Sequence, residues 1–393
     1  MTSKGRDPWL LTPGPLTTSL SVKQAMLHDW GSRDQEFIAI NRRVRDRLVA
    51  LAGAEGSHVC VPLQGSGTFV VEAAVGTILP RDGKALILVN GAYGQRIARI
   101  CDYYQRRYTI LETPEDVPND ATALDAALAD DTDLSHVFVV HCETTSGILN
   151  PVAEVAEVTA RHGRRLIIDA MSAFGAIPLD ARRVPFDALV ASSNKCFEGV
   201  PGVGFAIIRE SLLKDCKGNA PSLTLDLYDQ WQAMEKNAQW RFTPPTHVIV
   251  AFDQALREHE EEGGVPGRGA RYARNCKILV DGMRELGFKT LLPDELQAPI
   301  IVTFHMPADP SFVFQTFYDY LGERGFVIYP GKLTVADSFR IGCIGRIGEE
   351  EMRGALGAVR DALARMNVTH CGPKQPDPAI AWAVSGLKPV RSS

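Results

Sequence analysis

The chain has no excess of basic residues: 42 lysines and arginines stand against 47 aspartates and glutamates, for a formal charge of −5. No basic block stands out either, so the sequence carries no electrostatic footprint for nucleic acid. No apolar run approaches the ~18 residues of a membrane span, and residues 1–6 are polar where a secretory segment would be apolar. A soluble cytoplasmic protein is expected. The eight cysteines include no Cys-x-x-Cys pair, which points to reduced thiols rather than a disulfide framework. None of the nine histidines falls in a His-Glu-x-x-His or similar spacing, so no metal site is assigned. The Gly-Lys-[Ser/Thr] of a P-loop is missing, and Val70 stands where a dinucleotide fingerprint needs its third glycine. A P-loop is thereby set aside and a nicotinamide-dependent oxidoreductase disfavoured. There is no internal repeat. The expected partners are small molecules and copies of the chain itself.

What is present is an ordinary enzyme composition, 45% hydrophobic and 23% charged, over 393 residues. That length exceeds the size at which one core usually stops growing, so a large and a small domain are expected. Between about 60 and 210, short β-rich runs at 85–89, 136–140, 166–168, 188–191 and 205–208 alternate with helical patterns such as 68–79 and 151–162. Such alternation predicts parallel strands with crossover helices, an α/β sheet. Gly263-Gly264-Val265-Pro266-Gly267 reads as a flexible stretch, and the acidic run 258–262 before it as a solvated helix end. Beyond lie a helix at 268–286, a β run at 299–304, a helix at 311–323, β runs at 326–329 and 338–343, and a helix at 348–366. These suggest a smaller α+β domain. The division drawn from this pattern is a segment 1–20 that contributes to the active site and small domain, a large domain 21–264, a small domain 265–366 and an irregular tail 367–393.

The chemistry concentrates where apolar runs end. Lys195, in Ser193-Asn194-Lys195-Cys196, follows the run 188–191, and Asp169 closes the run 166–168. Both therefore fall at the carboxyl ends of strands, the edge where open α/β sheets bind ligands. Taken singly they also suit a surface lysine and a helix N-cap. Taken together they suit pyridoxal 5'-phosphate (PLP), whose aldehyde takes an amine and whose pyridinium takes an anion. Gly65-Ser66-Gly67-Thr68 opens a helix and outlines a phosphate cradle, or else a simple cap. Tyr93 follows the run 85–89, as an aromatic wall for a flat ring or a loop residue closing the core. Glu143-Thr144-Thr145-Ser146-Gly147 follows a strand, offering hydroxyls to a ligand or capping a turn. Arg340 lies within the run 338–343, where its fork suits an anion, though a strand arginine is often solvated or ion-paired.

With Leu11-Thr12-Pro13-Gly14-Pro15, His141-Cys142-Glu143-Thr144-Thr145-Ser146-Gly147 and Phe339-Arg340-Ile341-Gly342, these motifs resemble the class V aminotransferases of PLP-dependent fold type I. The resemblance implies a mostly parallel seven-stranded sheet flanked by helices, with the smaller domain C-terminal to it. It implies that Lys195 forms the Schiff base and carries the proton, while Asp169 faces the pyridine nitrogen. Ser66, Gly67 and Thr68 would hold the phosphate, Tyr93 would stack, and Thr144 and Asn194 would bond the ring periphery. Thr243 would reach the phosphate of the partner in a homodimer with shared active sites, and Arg340 would grip the substrate anion. Within the class, Ser193-Asn194-Lys195-Cys196 with Gly199-Val200-Pro201-Gly202, and the segment Arg241-Phe242-Thr243-Pro244-Pro245-Thr246-His247, are most similar to members that pass the amino group of 2-aminoethylphosphonate to pyruvate. Members using alanine or serine with glyoxylate or pyruvate are the first alternative, and a non-catalytic PLP-binding module the second. A desulfurase needs a mobile reactive thiol, whereas Cys196 beside the lysine reads as a small buried residue.

Overall fold

The computed structural model describes residues 7–333 and 337–374. Its centre is a seven-stranded sheet: β1 (His58–Gln64), β2 (Lys84–Val89), β3 (Arg107–Glu112), β4 (Leu134–Val140), β5 (Arg165–Asp169), β6 (Ala188–Ser192) and β7 (Val203–Arg209). The spatial order is β1-β7-β6-β5-β4-β2-β3. Strands β2 to β6 pair in parallel, and β7 runs antiparallel to both β1 and β6. Along β2, Leu86 and Leu88 enter the core on one face while Ala85, Ile87 and Val89 enter the core on the other. Burial on both faces is why such strands read as unbroken apolar runs.

Three features depart from the sequence reading. The run 205–208 was expected to join the parallel set, but no helix intervenes between β6 and β7, so the chain doubles back and β7 is antiparallel. The strands β1 and β3 were not anticipated. Both are edge strands; β1 carries Pro62, which an edge tolerates because one side of the strand has no ladder to complete, and β3 is only partly buried. The glycine-rich stretch 263–267 is not a flexible link. Gly263, at φ +98°, caps a 22-residue helix, Gly264–Glu285, whose first turn accommodates Pro266.

The acidic run also differs from its solvated reading. It ends the helix Thr246–Glu261, but Glu258 accepts from the hydroxyls of Ser19 and Ser21, and Glu262 pairs with Arg268 and Arg271 at 2.6 and 2.7 Å. The same helix buries Asp253 against Arg43, Arg47 and Arg257.

A second sheet holds β8 (Ile301–His305), β9 (Tyr329–Pro330) and β10 (Ser338–Gly342), antiparallel in the order β8-β10-β9. The helices Gly264–Glu285, Phe314–Glu323 and Glu349–Arg365 close over it around Phe304, Phe317, Phe339 and Met352. The N-terminal segment crosses to this layer: Trp9–Leu10 pairs in parallel with Phe326–Val327, and Leu11 enters its core. A small apolar cluster of Leu16, Cys142, Cys196, Tyr272, Ile300 and Ile344 joins the two layers. After the last helix, Thr369 donates its backbone N–H to Asp309, and Gly372 accepts from Ala308. The polar start 1–6 and most of the expected irregular tail, 375–393, lie outside the described residues. Among the described residues no helix is long and apolar enough to cross a membrane.

Candidate active site

Adjacent parallel strands bring the two key groups together. Asp169 is the last residue of β5, paired in register with Val190 of β6, and β6 ends three residues before Lys195. Both side chains line one cavity of about 220 Å³ at the carboxyl edge of the sheet. Ser66, Gly67, Thr68, Tyr93, Thr144 and Asn194 line it as well. Eight of the ten residues singled out in the sequence thus converge. Arg340 and Thr243 are not on the cavity wall.

Arg340 is buried, not solvated. Its Nε donates to the carbonyl of Pro330 at 3.1 Å and its Nη1 to the carbonyl of Thr144 at 2.8 Å, which joins β10 to the cavity through Thr144. Thr243 is exposed in the segment before the helix Thr246–Glu261.

Burial and charge tune the pair. Removal from water pushes the Asp169 carboxyl up to about 6, opposed by the backbone N–H of Met171 and the charge of Lys195. The same cause lowers the Lys195 amine to about 8. Lys195 Nζ donates to the carbonyl of Pro13. The adjoining Gly14, at φ +129°, permits that approach, since a Cβ there would stand 2.9 Å from Nζ.

At the cradle, Ser66 occupies the N-cap position of the helix Gly67–Ile78, yet its side chain makes no capping bond. The simple-cap reading therefore does not account for it. Thr68 Oγ1 accepts from Arg96 Nη1 at 3.1 Å, and the Arg96 guanidinium lies 4.7 Å over the Tyr93 ring. Arg96 lines the cavity and was missed in the sequence. Its signal was available: it sits three residues after Tyr93 on the helix Ala92–Tyr103, on the same face.

A second omission is Glu143, fully buried, which accepts from the backbone N–H of Tyr93 at 3.1 Å and from Thr145 Oγ1 at 2.6 Å. Burial holds its carboxyl above the ordinary range. Its signal was a carboxylate three residues past the end of an apolar strand. Met171, Ser172 and Ser192 also line the cavity without having been named. Ser192 Oγ is buried with no hydrogen-bond partner among the described residues.

The pattern described as Aminotransferase class-V matches residues 21–342. The chain belongs to the class V aminotransferases. Within this class V aminotransferase, 368 residues are 55% identical to a 2-aminoethylphosphonate–pyruvate transaminase of Pseudomonas aeruginosa, covering 94% of this chain and 99% of that relative. A protein of the same description from Pseudomonas putida is 55% identical over 361 residues, 92% of this chain and 98% of the relative. Among solved structures, pyridoxamine-pyruvate aminotransferase from Mesorhizobium loti superposes with a TM-score of 0.85 at 24% identity, over 93% of this chain and 94% of that one. An aspartate aminotransferase from Thermus thermophilus gives 0.82 at 21% identity, over 91% and 99%. At such identities the solved structures speak for the fold, and the fold is that of the PLP-dependent type I aminotransferases.

Cys196 of this class V aminotransferase is buried, with its thiol donating to the Ser172 carbonyl at 3.4 Å and pushed up to about 12 by burial. A thiol so protonated and enclosed is not the mobile nucleophile of a desulfurase.

Proposed function

We propose that this chain binds PLP and moves the amino group of 2-aminoethylphosphonate to pyruvate, giving phosphonoacetaldehyde and L-alanine. The observation that carries the chemistry is the convergence of Lys195 and Asp169 on one cavity beside a helix N-terminus. The donor and acceptor rest on the relatives that share 55% of their residues over nearly their whole length.

The residues present fit the cofactor. An amine and a buried carboxylate reach the same space, and free amides at the start of the helix Gly67–Ile78 suit a phosphate. A Cβ at Gly67 would stand 2.5 Å from Met171 Sδ, so a side chain there would have to push Met171 aside on the cavity wall. Ser192 Oγ lacks a partner that a bound polar group would supply. When bound, PLP supplies an electron sink for the charge left as the donor loses its Cα proton.

The protein's own part is positioning and proton transfer. Lys195, lowered to about 8, holds an appreciable neutral fraction near neutrality, as a nucleophile and proton carrier requires. Asp169, at about 6, is ionised there and offers its charge to the ring nitrogen. Ser66, Gly67 and Thr68, with Arg96 beside them, bind the phosphate; Tyr93 stacks on the ring; Thr144 and Asn194 bond its edge. Arg340 grips the phosphonate and then the carboxylate of the acceptor. Thr243, exposed on its own chain, reaches the phosphate bound in a second copy, which makes the working unit a cytoplasmic homodimer.

Initial rates with 2-aminoethylphosphonate, serine and alanine as donors, each with pyruvate or glyoxylate as acceptor, test the specificity. Turnover is expected with the phosphonate and pyruvate; a rate with serine or alanine but none with the phosphonate overturns the donor assignment. A yellow purified protein that reacts with hydroxylamine tests the cofactor separately.

A further inference from the structure

Three residues beyond Lys195, Glu198 adopts a left-handed backbone, φ +60°, which is uncommon for a residue with a side chain. Such a conformation persists where the surroundings hold it from several sides. Glu198 is buried, and its own N–H closes a 2.8 Å turn onto the Lys195 carbonyl. Its Oε1 accepts from Tyr272 Oη at 2.6 Å and Arg271 Nη2 at 2.7 Å, with Arg268 Nη1 at 3.6 Å.

The two arginines carry the connection outward. Arg268 Nη1 donates to the carbonyl of Cys196, the residue next to the lysine. Arg271 Nη1 donates to the carbonyls of Gly345 and Ile347, at 2.6 and 2.8 Å, on the turn that follows β10 and its Arg340. Glu262 balances the second positive charge, bonding both guanidinium groups, and those bonds hold its carboxyl down at about 2. One neutral, largely enclosed network of two arginines and two glutamates therefore touches the lysine loop on one side and the Arg340 segment on the other.

We propose that Glu198, through Arg268 and Arg271, is a positioning residue that sets the Lys195 amine in register with the Arg340 strand. This rests on the reading of Lys195 as the reacting amine. None of the three contacts the cavity, so the effect runs through the loop backbone. A misplacement of about 1 Å imposed from outside a site can lower a rate about a hundredfold, and a loop held by buried ion pairs is a means of preventing one.

The test uses Glu198→Gly, which accepts the left-handed backbone and removes the side chain with its carboxylate, and Glu198→Gln, which keeps the methylenes and an acceptor oxygen and removes only the charge. In the cofactor-loaded enzyme, Glu198→Gly is expected to lower kcat between about tenfold and a hundredfold, while the donor KM moves less than about threefold. Glu198→Gln is expected to recover part of that loss. In cofactor-free protein, trace acylation of Lys195 read by peptide mass spectrometry is expected to quicken about threefold or more as the loop loosens. A folded Glu198→Gly protein with the parent's kcat and the parent's acylation rate overturns the proposal, and so does a kcat loss with unchanged acylation. If Glu198→Gly does not fold, Glu198→Gln is judged by the same two readings. Acylation needs neither cofactor nor donor, so it decides the positioning role even where the parent fails to turn over the phosphonate.

Discussion

The guanidinium of Arg340 donates to the carbonyl oxygen of Thr144 at 2.8 Å, across 196 positions of sequence. This bond joins the small sheet to the loop after β4, whose Thr144 lines the cavity. Arg340→Lys keeps the charge but loses the fork that spans Thr144 and Pro330. We expect kcat/KM for the phosphonate donor to fall about tenfold to a hundredfold, chiefly through KM. An unchanged KM in steady-state assays would take Arg340 away from the substrate and leave it a structural tie.

Replacing Lys195 by alanine removes the amine that carries the proton. Turnover is expected to drop about a thousandfold or more, and the visible absorbance of the PLP-reconstituted protein should be lost with it. A variant with the parent's rate and spectrum would exclude Lys195 from the chemistry.

Asp169 makes stability depend on pH in the cofactor-free protein. Its carboxyl sits at about 6 when folded, against an ordinary 3.8. Between those values the folded chain holds a proton that the unfolded chain has lost, so stability falls as pH rises from about 4 to 6. The full difference is on the order of 3 kcal/mol. Lys195 acts in the opposite sense: lowered to about 8 from 10.5, it adds stability as pH climbs between those values. Urea titrations of cofactor-free Asp169→Asn should show a gain over the parent above pH 6 that vanishes below about pH 4. Equal midpoints at all pH values would contradict the buried carboxylate.

Arg96 stands beside Thr68 at the proposed phosphate cradle. Removing a charge-assisted hydrogen bond typically costs about 1.5–3 kcal/mol, so Arg96→Gln should weaken PLP about tenfold to a hundredfold. Equilibrium dialysis against PLP measures this directly. Tyr93→Phe, which keeps the aromatic face, is expected to bind PLP nearly as the parent does.

Much of the sheet was legible because its inner strands are buried on both faces. Runs such as Leu166, Ile167 and Ile168 leave no polar position until the strand emerges, and the first polar residue, Asp169, marks the ligand edge. This logic put Asp169 and the loop carrying Lys195 at the ligand edge, and the two together, not either alone, pointed to PLP. The edges were illegible for the converse reason: Pro62 interrupts β1, and β3 exposes Arg107 and Glu112 to solvent, so neither strand carries the apolar run that identifies its neighbours. Gly263 to Gly267 misled because glycine marks a helix cap as readily as a link, and only the left-handed Gly263 followed by a continuous helix distinguishes the two.

By itself, the sequence determined the strand ends, the amine and the acid upon them, and the glycine-softened helix start, because each depends on residues adjacent along the chain. Only the tertiary structure decided that Arg96 lies on Thr68, that Arg340 stands behind Thr144 rather than on the cavity wall, and that Glu198 meets Arg268 and Arg271. Those pairings join segments 28 to 196 residues apart. Charges of that kind reveal their partners only once folding removes them from water, where an unpaired ion is too costly to leave.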